Sequence, residues 1–191
     1  MTRPAPGAQT DEPCPDQRIH LIQGEFHVSN QPRLVLTTTL GSCIACCLFD
    51  PVVAVGGMNH FLLPGGDAVG GGDARRYGAH AMELLINGMM RAGARKSRLE
   101  AKLFGGGRLS VNLPDIGGAN AAFAEQFLRD EGIAWLGGST GGGGARRIQF
   151  WPASGRVRQR ALHTAERDVF QSELAILPID AEAGVVELFG D

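Results

Sequence analysis

The sequence predicts a single-domain mixed α/β sandwich, and three observations carry that prediction. The chain has 191 residues, enough for one sizeable domain and short for two. Its hydrophobic content of 43% supports a real core. Short β-prone runs outnumber two stretches of helical periodicity and alternate with them irregularly, which does not suit the regular repeat of a parallel sheet.

Taken in order, residues 1–17 are polar, proline-rich and acidic, and read as a disordered arm. The alternation in RIHLIQGEFHV predicts a first strand over 18–28. LVLTTTL (34–40) and CIACCLF (43–49) are rich in β-branched and apolar residues and read as strands. Asp50-Pro51 suits positions i and i+1 of a type I turn, so VVAVGGMNHFLL (52–63) is the returning strand. A glycine-rich loop over 64–76 leads to a helix from about Arg76 to Ala92. There Met82, Leu85, Ile86 and Met89 fall at i, i+3, i+4 and i+7, and Gly93 is placed to end it. Met82, Met89 and Met90 read as helix packing. RLEAKLF (98–104) is a strand stopped by Gly105-Gly106-Gly107. A second helix over 120–131 puts Phe123, Phe127 and Leu128 on one stripe and stops at Gly132. Short strands follow at 133–137, 146–151 and 156–162. The domain therefore spans 18–164, and the acidic tail 165–191 has too weak a periodicity to assign.

Composition narrows the function. A formal net charge of −2 and an aromatic content of 6% argue against nucleic-acid binding, which wants a basic excess and stacking platforms. The longest pure apolar run, CIACCLF, is far too short to span a membrane, so no membrane insertion is expected. The N-terminus has no apolar stretch that would serve as a signal peptide. These features read as a cytoplasmic protein with reduced thiols. Glycine is the outlier, at 28 residues concentrated in loops.

The stretch TTTLGSCIACCLFD (37–50) places Cys43, Cys46 and Cys47 within five positions. A zinc site lacks a second Cys-x-x-Cys or a His-x-His pair, so no metal is expected, and no motif calls for a cofactor. A thioredoxin-like motif opens a helix, whereas this one lies in β-prone sequence. Cys46 and Cys47 read as small core hydrophobes. Cys43 differs because of where a hairpin would put it. If 43–50 and 53–60 pair about the turn, 50 opposes 53, 47 opposes 56 and Cys43 opposes His60. Directly opposed side chains have Cβ atoms roughly 4.5–5.5 Å apart. An imidazole there would take the thiol proton and hold an ion pair, lowering the cysteine pKa. A third group must orient the ring, and Thr37, Thr38 and Thr39 all lie on the strand entering the turn.

These residues resemble a known family. TLGSCIACCLFDPVVAVGGMNHFLLP strongly resembles CheD, the chemoreceptor glutamine deamidases of bacterial chemotaxis. The likeness continues through RYGAHAMELLINGMMRAGARKSRLEAKLFGGGRL, IGGANAAFAEQFLRDEGI and GGGGARRIQFWPASGRV, about residues 20–160 in order. The GSC and GGMNHF blocks are specific in combination. The resemblance implies Cys43 as nucleophile, His60 as its base and Thr37, six residues before the cysteine, as the orienter. It implies hydrolysis of receptor glutamine side chains to glutamate. It also implies a layered α/β/β/α sandwich similar to that of Cys-His toxin deamidases. Methyl-accepting chemoreceptors would be the protein substrate, and a CheC-like phosphatase a further partner.

On that reading, backbone N–H groups at Ser42-Cys43 hold the oxyanion and Gly41 permits the tight turn. Arg146 and Arg147, beside GGSTGGGGARR (137–147), are weak candidates for docking acidic receptor helices; that segment lacks the Gly-Lys-Ser/Thr of a phosphate loop. Arg156, Arg158 and Arg160 alternate on one strand and read as a solvated face. Two competing functions use the same residues: an acyltransferase or thiol protease built on the Cys-His pair, and a non-catalytic regulator that binds a phosphatase or receptors.

Overall fold

The computed structural model describes residues 17–63, 71–108 and 114–162. The expected disordered arm, apart from Gln17, the start of the loop after 63, and the C-terminal tail lie outside these residues.

Among the described residues nine strands form two sheets. The expected first strand is two, β1 (Gln17–His20) and β2 (Phe26–Ser29). Between them Glu25 N–H donates to Ile22 O at 3.1 Å, and Gly24 holds φ at +91°, a tight turn that the alternation of the flanking residues hid. The two strands then join different sheets. β3 (Leu34–Leu40) pairs in parallel with β1 and antiparallel with β8 (Arg146–Trp151), and β8 pairs with β9 (Arg156–Ala161), giving the order β1-β3-β8-β9. The second sheet has the order β2-β5-β4-β6-β7, with β4 at Ile44–Asp50, β5 at Val55–Asn59, β6 at Glu100–Gly105 and β7 at Ala134–Thr140.

Two α-helices of the described residues cover one face of the five-stranded sheet. α1 (Gly71–Arg91) begins five residues before the expected start, and α2 (Ile116–Asp130) four before. Asp115 caps α2 by accepting from Gly118 N–H at 2.9 Å. Both helices end in the same way. Gly93 at φ +95° and Gly132 at φ +65° take the left-handed position, while Ala94 N–H and Ile133 N–H return to Met89 O and Leu128 O. Met82, Leu85, Ile86 and Met89 are buried as their spacing requires, but Met90 points outward at 45% exposure. The inner stripe of α2 is Ala121, Ala124 and Leu128, with Phe123 and Phe127 only partly buried beside it.

The described residues thus make three layers, α/β/β, with no helix among them on the outer face of the four-stranded sheet. One core lies between helices and sheet, with Ile44, Cys46 and Leu48 from β4. The other lies between the sheets, with Leu34, Leu36 and Leu40 from β3 and Cys43, Ala45 and Cys47 from β4 and its approach. No helix of the described residues is long and apolar enough to cross a membrane.

Asp50 locks the closed end of the β4–β5 hairpin. Its carboxylate is fully buried and accepts from Val52 N–H, Arg95 N–H and the Arg98 guanidinium, the last at 2.7 and 2.9 Å. Burial alone would raise its pKa, but the Arg95 and Val52 N–H groups and Arg98 outweigh it and hold the carboxyl below the usual value. Asp50→Ala is expected to lower stability by about 3 kcal/mol in urea titration, since it strands several donors and a partly buried guanidinium. The depressed pKa means this stabilisation is present above the ordinary carboxylate range and is lost as pH falls through the folded-state value.

Candidate active site

The site lies where the chain changes sheets. Leaving β3 in one sheet, it turns through Gly41-Ser42-Cys43 and enters β4 in the other. The β1–β2 turn makes the same crossing at this end, because Gly24 N–H donates to His60 O at 2.7 Å and His60 N–H to Glu25 O at 2.9 Å.

The hairpin register differs from the one expected. Cys47 pairs with Met58 and Asp50 with Val55, and beyond a gap Ile44 bridges Phe61. The connection is the four residues 51–54, closed by Ala54 in the left-handed region at φ 52°, which moves every pair by two. Cys43 therefore does not oppose His60 directly; continuing the register, His60 falls opposite Ala45. A shift of two keeps the faces, as side chains alternate with period two. Cys43, Ala45, Met58 and His60 share the inter-sheet face, and Cys43 and His60 are diagonal neighbours, a relation of roughly 7–8 Å between positions. Ala45, between them, adds no bulk.

The ring of His60 is fixed by β3, through Thr38 and not Thr37. Thr38 Oγ1 lies 2.8 Å from His60 Nδ1, and its own hydrogen goes to Leu21 O at 2.8 Å. With that hydrogen spent, the hydroxyl can only accept from the ring. Leu21 O, 3.4 Å from the same nitrogen, can also only accept. Nδ1 therefore carries the proton, and Nε2 is the bare, basic nitrogen. It is buried and has no hydrogen-bond partner among the described residues. Thr37 faces the other side of the sheet, where its hydroxyl meets His20 Nδ1 at 3.2 Å. The assignment of Thr37 to His60 thus meets an obstacle of parity: on one strand, neighbours point to opposite faces. The signal was in LVLTTTL itself, since Leu34, Leu36 and Leu40 mark the inner face and Thr38 continues it.

Hydrogen bonds hold the loop that carries Cys43. Gly107 N–H donates to Gly41 O at 2.7 Å, Gly106 N–H to Cys43 O at 2.8 Å and the buried Asn120 Nδ2 to Ser42 O at 3.1 Å. A Cβ at Gly105 would come within 2.0 Å of Cys43 O, so the approach of these two backbones requires glycine there. Asn120 also accepts from Leu63 N–H at 2.7 Å, which ties the chain beyond His60 to the same helix. In the sequence Gly105–Gly107 read only as a strand stop, and Asn120 is marked only as a polar residue on an otherwise apolar helix face.

The electrostatics are those of a neutral pair. Burial pushes the Cys43 thiol up to about 12, with its own backbone N–H pulling the other way. Burial pushes His60 down to about 4, partly offset by Leu21 O and Glu25 and reinforced by His20. Burial works against the ion pair expected from the hairpin, because Cys43 is only 2% exposed and neither charge would be solvated. Alkylation of Cys43 by iodoacetamide at pH 7 is accordingly expected to be slower than that of a free cysteine, and to rise with pH without a plateau at low pH. Rapid labelling below pH 7 would show an activated thiolate instead.

The other candidates separate. Cys46 and Cys47 are buried on opposite faces of β4 as packing, both unbridged. Among the described residues no group of three or more His, Cys, Asp or Glu is set to hold a metal. Arg146 does not offer a docking charge. It is 6% exposed and turns inward, donating to Ser139 O and Oγ and to Gly141 O, so it pins the β7–β8 loop. Arg147 does face outward, in register with Arg160 on the open sheet face.

A family model described as CheD chemotactic sensory transduction matches residues 62–161. A protein of Caulobacter sp. (strain K31), described as a probable chemoreceptor glutamine deamidase CheD, is 58% identical over 95% of this chain and 98% of its own length. One of Agrobacterium fabrum with the same description is 58% identical over 78% of this chain and 83% of its own. Among solved structures, a Neisseria meningitidis protein aligns at 12% identity over 61% of this chain and 52% of its own, with a TM-score of 0.40, too slight a likeness to bear on fold or function. The match of the family model over more than half the chain, and relatives 58% identical over 78% and 95% of it, make the conclusion plain: the chain belongs to the CheD family.

Proposed function

We propose that the protein is a protein-glutamine glutaminase that deamidates glutamines of methyl-accepting chemoreceptors to glutamate through a Cys43 thioester. The observation that carries the reading is the bare Nε2 of His60, buried on the same sheet face as Cys43 and oriented from behind by Thr38. Family membership supplies the substrate class, through relatives described as chemoreceptor glutamine deamidases. The toxin-like sandwich implied by the family is part of the same reading, supported by a Cys-His pair set between two sheets.

In this mechanism the arriving glutamine side chain brings its carbonyl carbon to Sγ. The thiol proton passes to His60 Nε2 as the S–C bond forms, so charge separates only when the transition state can use it. N–H groups of Ser42 and Cys43 receive the oxyanion. The imidazolium returns its proton to the nitrogen as the C–N bond breaks, and ammonia leaves. His60 then takes a proton from water, which attacks the thioester to release glutamate and the thiol. Thr38 is the positioning residue, keeping Nδ1 protonated and Nε2 free. Arg147, exposed on the outer face of the four-stranded sheet, serves to dock acidic receptor helices.

The test is incubation of a purified receptor cytoplasmic domain with the protein. Ammonia release with a gain of about one dalton per modified glutamine is the expected result; tight binding without either would make the protein a binding module, and cut peptide bonds would make it a protease. The two threonines give an internal comparison. Thr38→Val is expected to lower kcat by roughly 10- to 100-fold, the worth of a buried hydrogen bond of about 1–3 kcal/mol. Thr38→Ser should restore most of it, and Thr37→Val should cost little. The reverse pattern would return the orienting role to Thr37.

A further inference from the structure

The nucleophile already has a carboxamide against it. Cys43 Sγ–H donates to Gln23 Oε1 at 3.7 Å, within the range of a thiol hydrogen bond. Gln23 is half-buried at the second position of the Ile22–Glu25 turn. The backbone of that turn is anchored on all sides. Leu21 N–H donates to Thr37 O, Gly24 N–H to His60 O, Glu25 receives His60 N–H, and Ile22 N–H meets the Glu25 carboxylate. The turn is thus tied to the base, while its one amide side chain reaches the nucleophile. With that side chain in place Cys43 is 2% exposed, so no substrate atom reaches Sγ in this arrangement.

Resting on Cys43 as the nucleophile, we propose that Gln23 is a built-in pseudosubstrate: its carboxamide holds the place of the receptor glutamine and leaves when that glutamine enters. Two consequences follow from the chemistry. The thiol proton is directed at Gln23 Oε1 and away from the bare His60 Nε2, so proton transfer waits for the exchange. When an incoming glutamine displaces that carboxamide, its carbonyl oxygen goes to the Ser42 and Cys43 N–H groups and the thiol hydrogen turns to His60 Nε2, so the thiol keeps an acceptor. Only the Gln23 side chain need rotate, because the backbone contacts of the turn do not involve it. The site is therefore covered against alkylation and oxidation in a form that a glutamine side chain is best suited to displace.

Gln23→Ala is the experiment, read by iodoacetamide labelling of Cys43 with peptide mapping and by steady-state deamidation of the receptor domain. The expected result is labelling on the order of tenfold faster, the value of one hydrogen bond of about 1.4 kcal/mol, and a lower KM at unchanged kcat. Gln23→Leu, which keeps a cover but offers no acceptor, should label more slowly than Gln23→Ala. Unchanged labelling and KM in Gln23→Ala would overturn the proposal, and so would a fall in kcat, which would make Gln23 a catalytic donor. A Cys43-dependent gain of about one dalton at Gln23 in the wild type would also overturn it, as a consumed substrate is no stopper. Receptor deamidation that persists in Cys43→Ala is a separate result: it would remove the nucleophile reading itself.

Discussion

Cys43→Ala is expected to abolish receptor deamidation, by about 10⁵-fold or to the floor of an ammonia assay, the scale on which hydrolases lose activity with their nucleophile. In the proposed mechanism the glutamyl carbon is joined to this thiol, and alanine leaves His60 with nothing to deprotonate but water. The fold should survive. Cys43 contributes one buried sulfur to the inter-sheet core, beside Leu40 and Phe104, so a loss of about 1 kcal/mol in thermal unfolding is the expected scale. Cys46→Ala and Cys47→Ala make the matching controls. Both remove equally buried sulfurs from the same strand, and both should cost similar stability while leaving kcat near wild type. If all three variants deamidate equally, Cys43 is packing as well, and the Cys-x-x-Cys cluster has no chemistry.

His60→Ala carries the second large effect, a fall of about 10³-fold in kcat/KM, within the span of general-base contributions. The pH dependence distinguishes loss of a base from loss of structure. In the wild type, kcat/KM reports the free protein, where burial holds His60 near 4, well under an ordinary imidazole at about 6.5. The neutral base therefore persists in mild acid, and the acid limb should fall below pH 5. The plateau should extend upward past pH 8, because burial holds the thiol near 12. In His60→Ala the plateau should be replaced by a rate that climbs with pH, as only the thiolate can then attack. An acid limb near 6.5 in the wild type would mean a solvated imidazole and a different resting state. The same lowered pKa bears on stability. Stabilisation from the neutral buried ring is present above about pH 6.5 and is lost as pH falls toward 4, in the same direction as the loss at Asp50.

Much of this was legible in the chain. Cys43 and His60 stood out because the two ends of a hairpin must face each other, and that holds for any nearby register of the same parity. The strands of the inter-sheet core, the helix stripe of Met82, Leu85, Ile86 and Met89, and the glycine stops at 93 and 132 follow from local rules: side-chain period, turn chemistry and the cost of a positive φ. The parity of Leu34, Leu36 and Leu40 even pointed to Thr38, although the family spacing pointed to Thr37.

The remainder depended on contacts between distant segments. No local rule says that β1 and β2 part into different sheets, since Gly24 reads the same in a bulge as in a crossover. The hairpin register turned on Ala54 accepting a left-handed backbone, which alanine seldom does. Arg146 looked like a surface charge until the β7–β8 loop folded over it and offered its carbonyls. The protonation of the pair was beyond the sequence for the same reason. Residue types name a thiol and an imidazole, but burial between two sheets, with a glutamine from another turn laid against the sulfur, decides that both rest neutral.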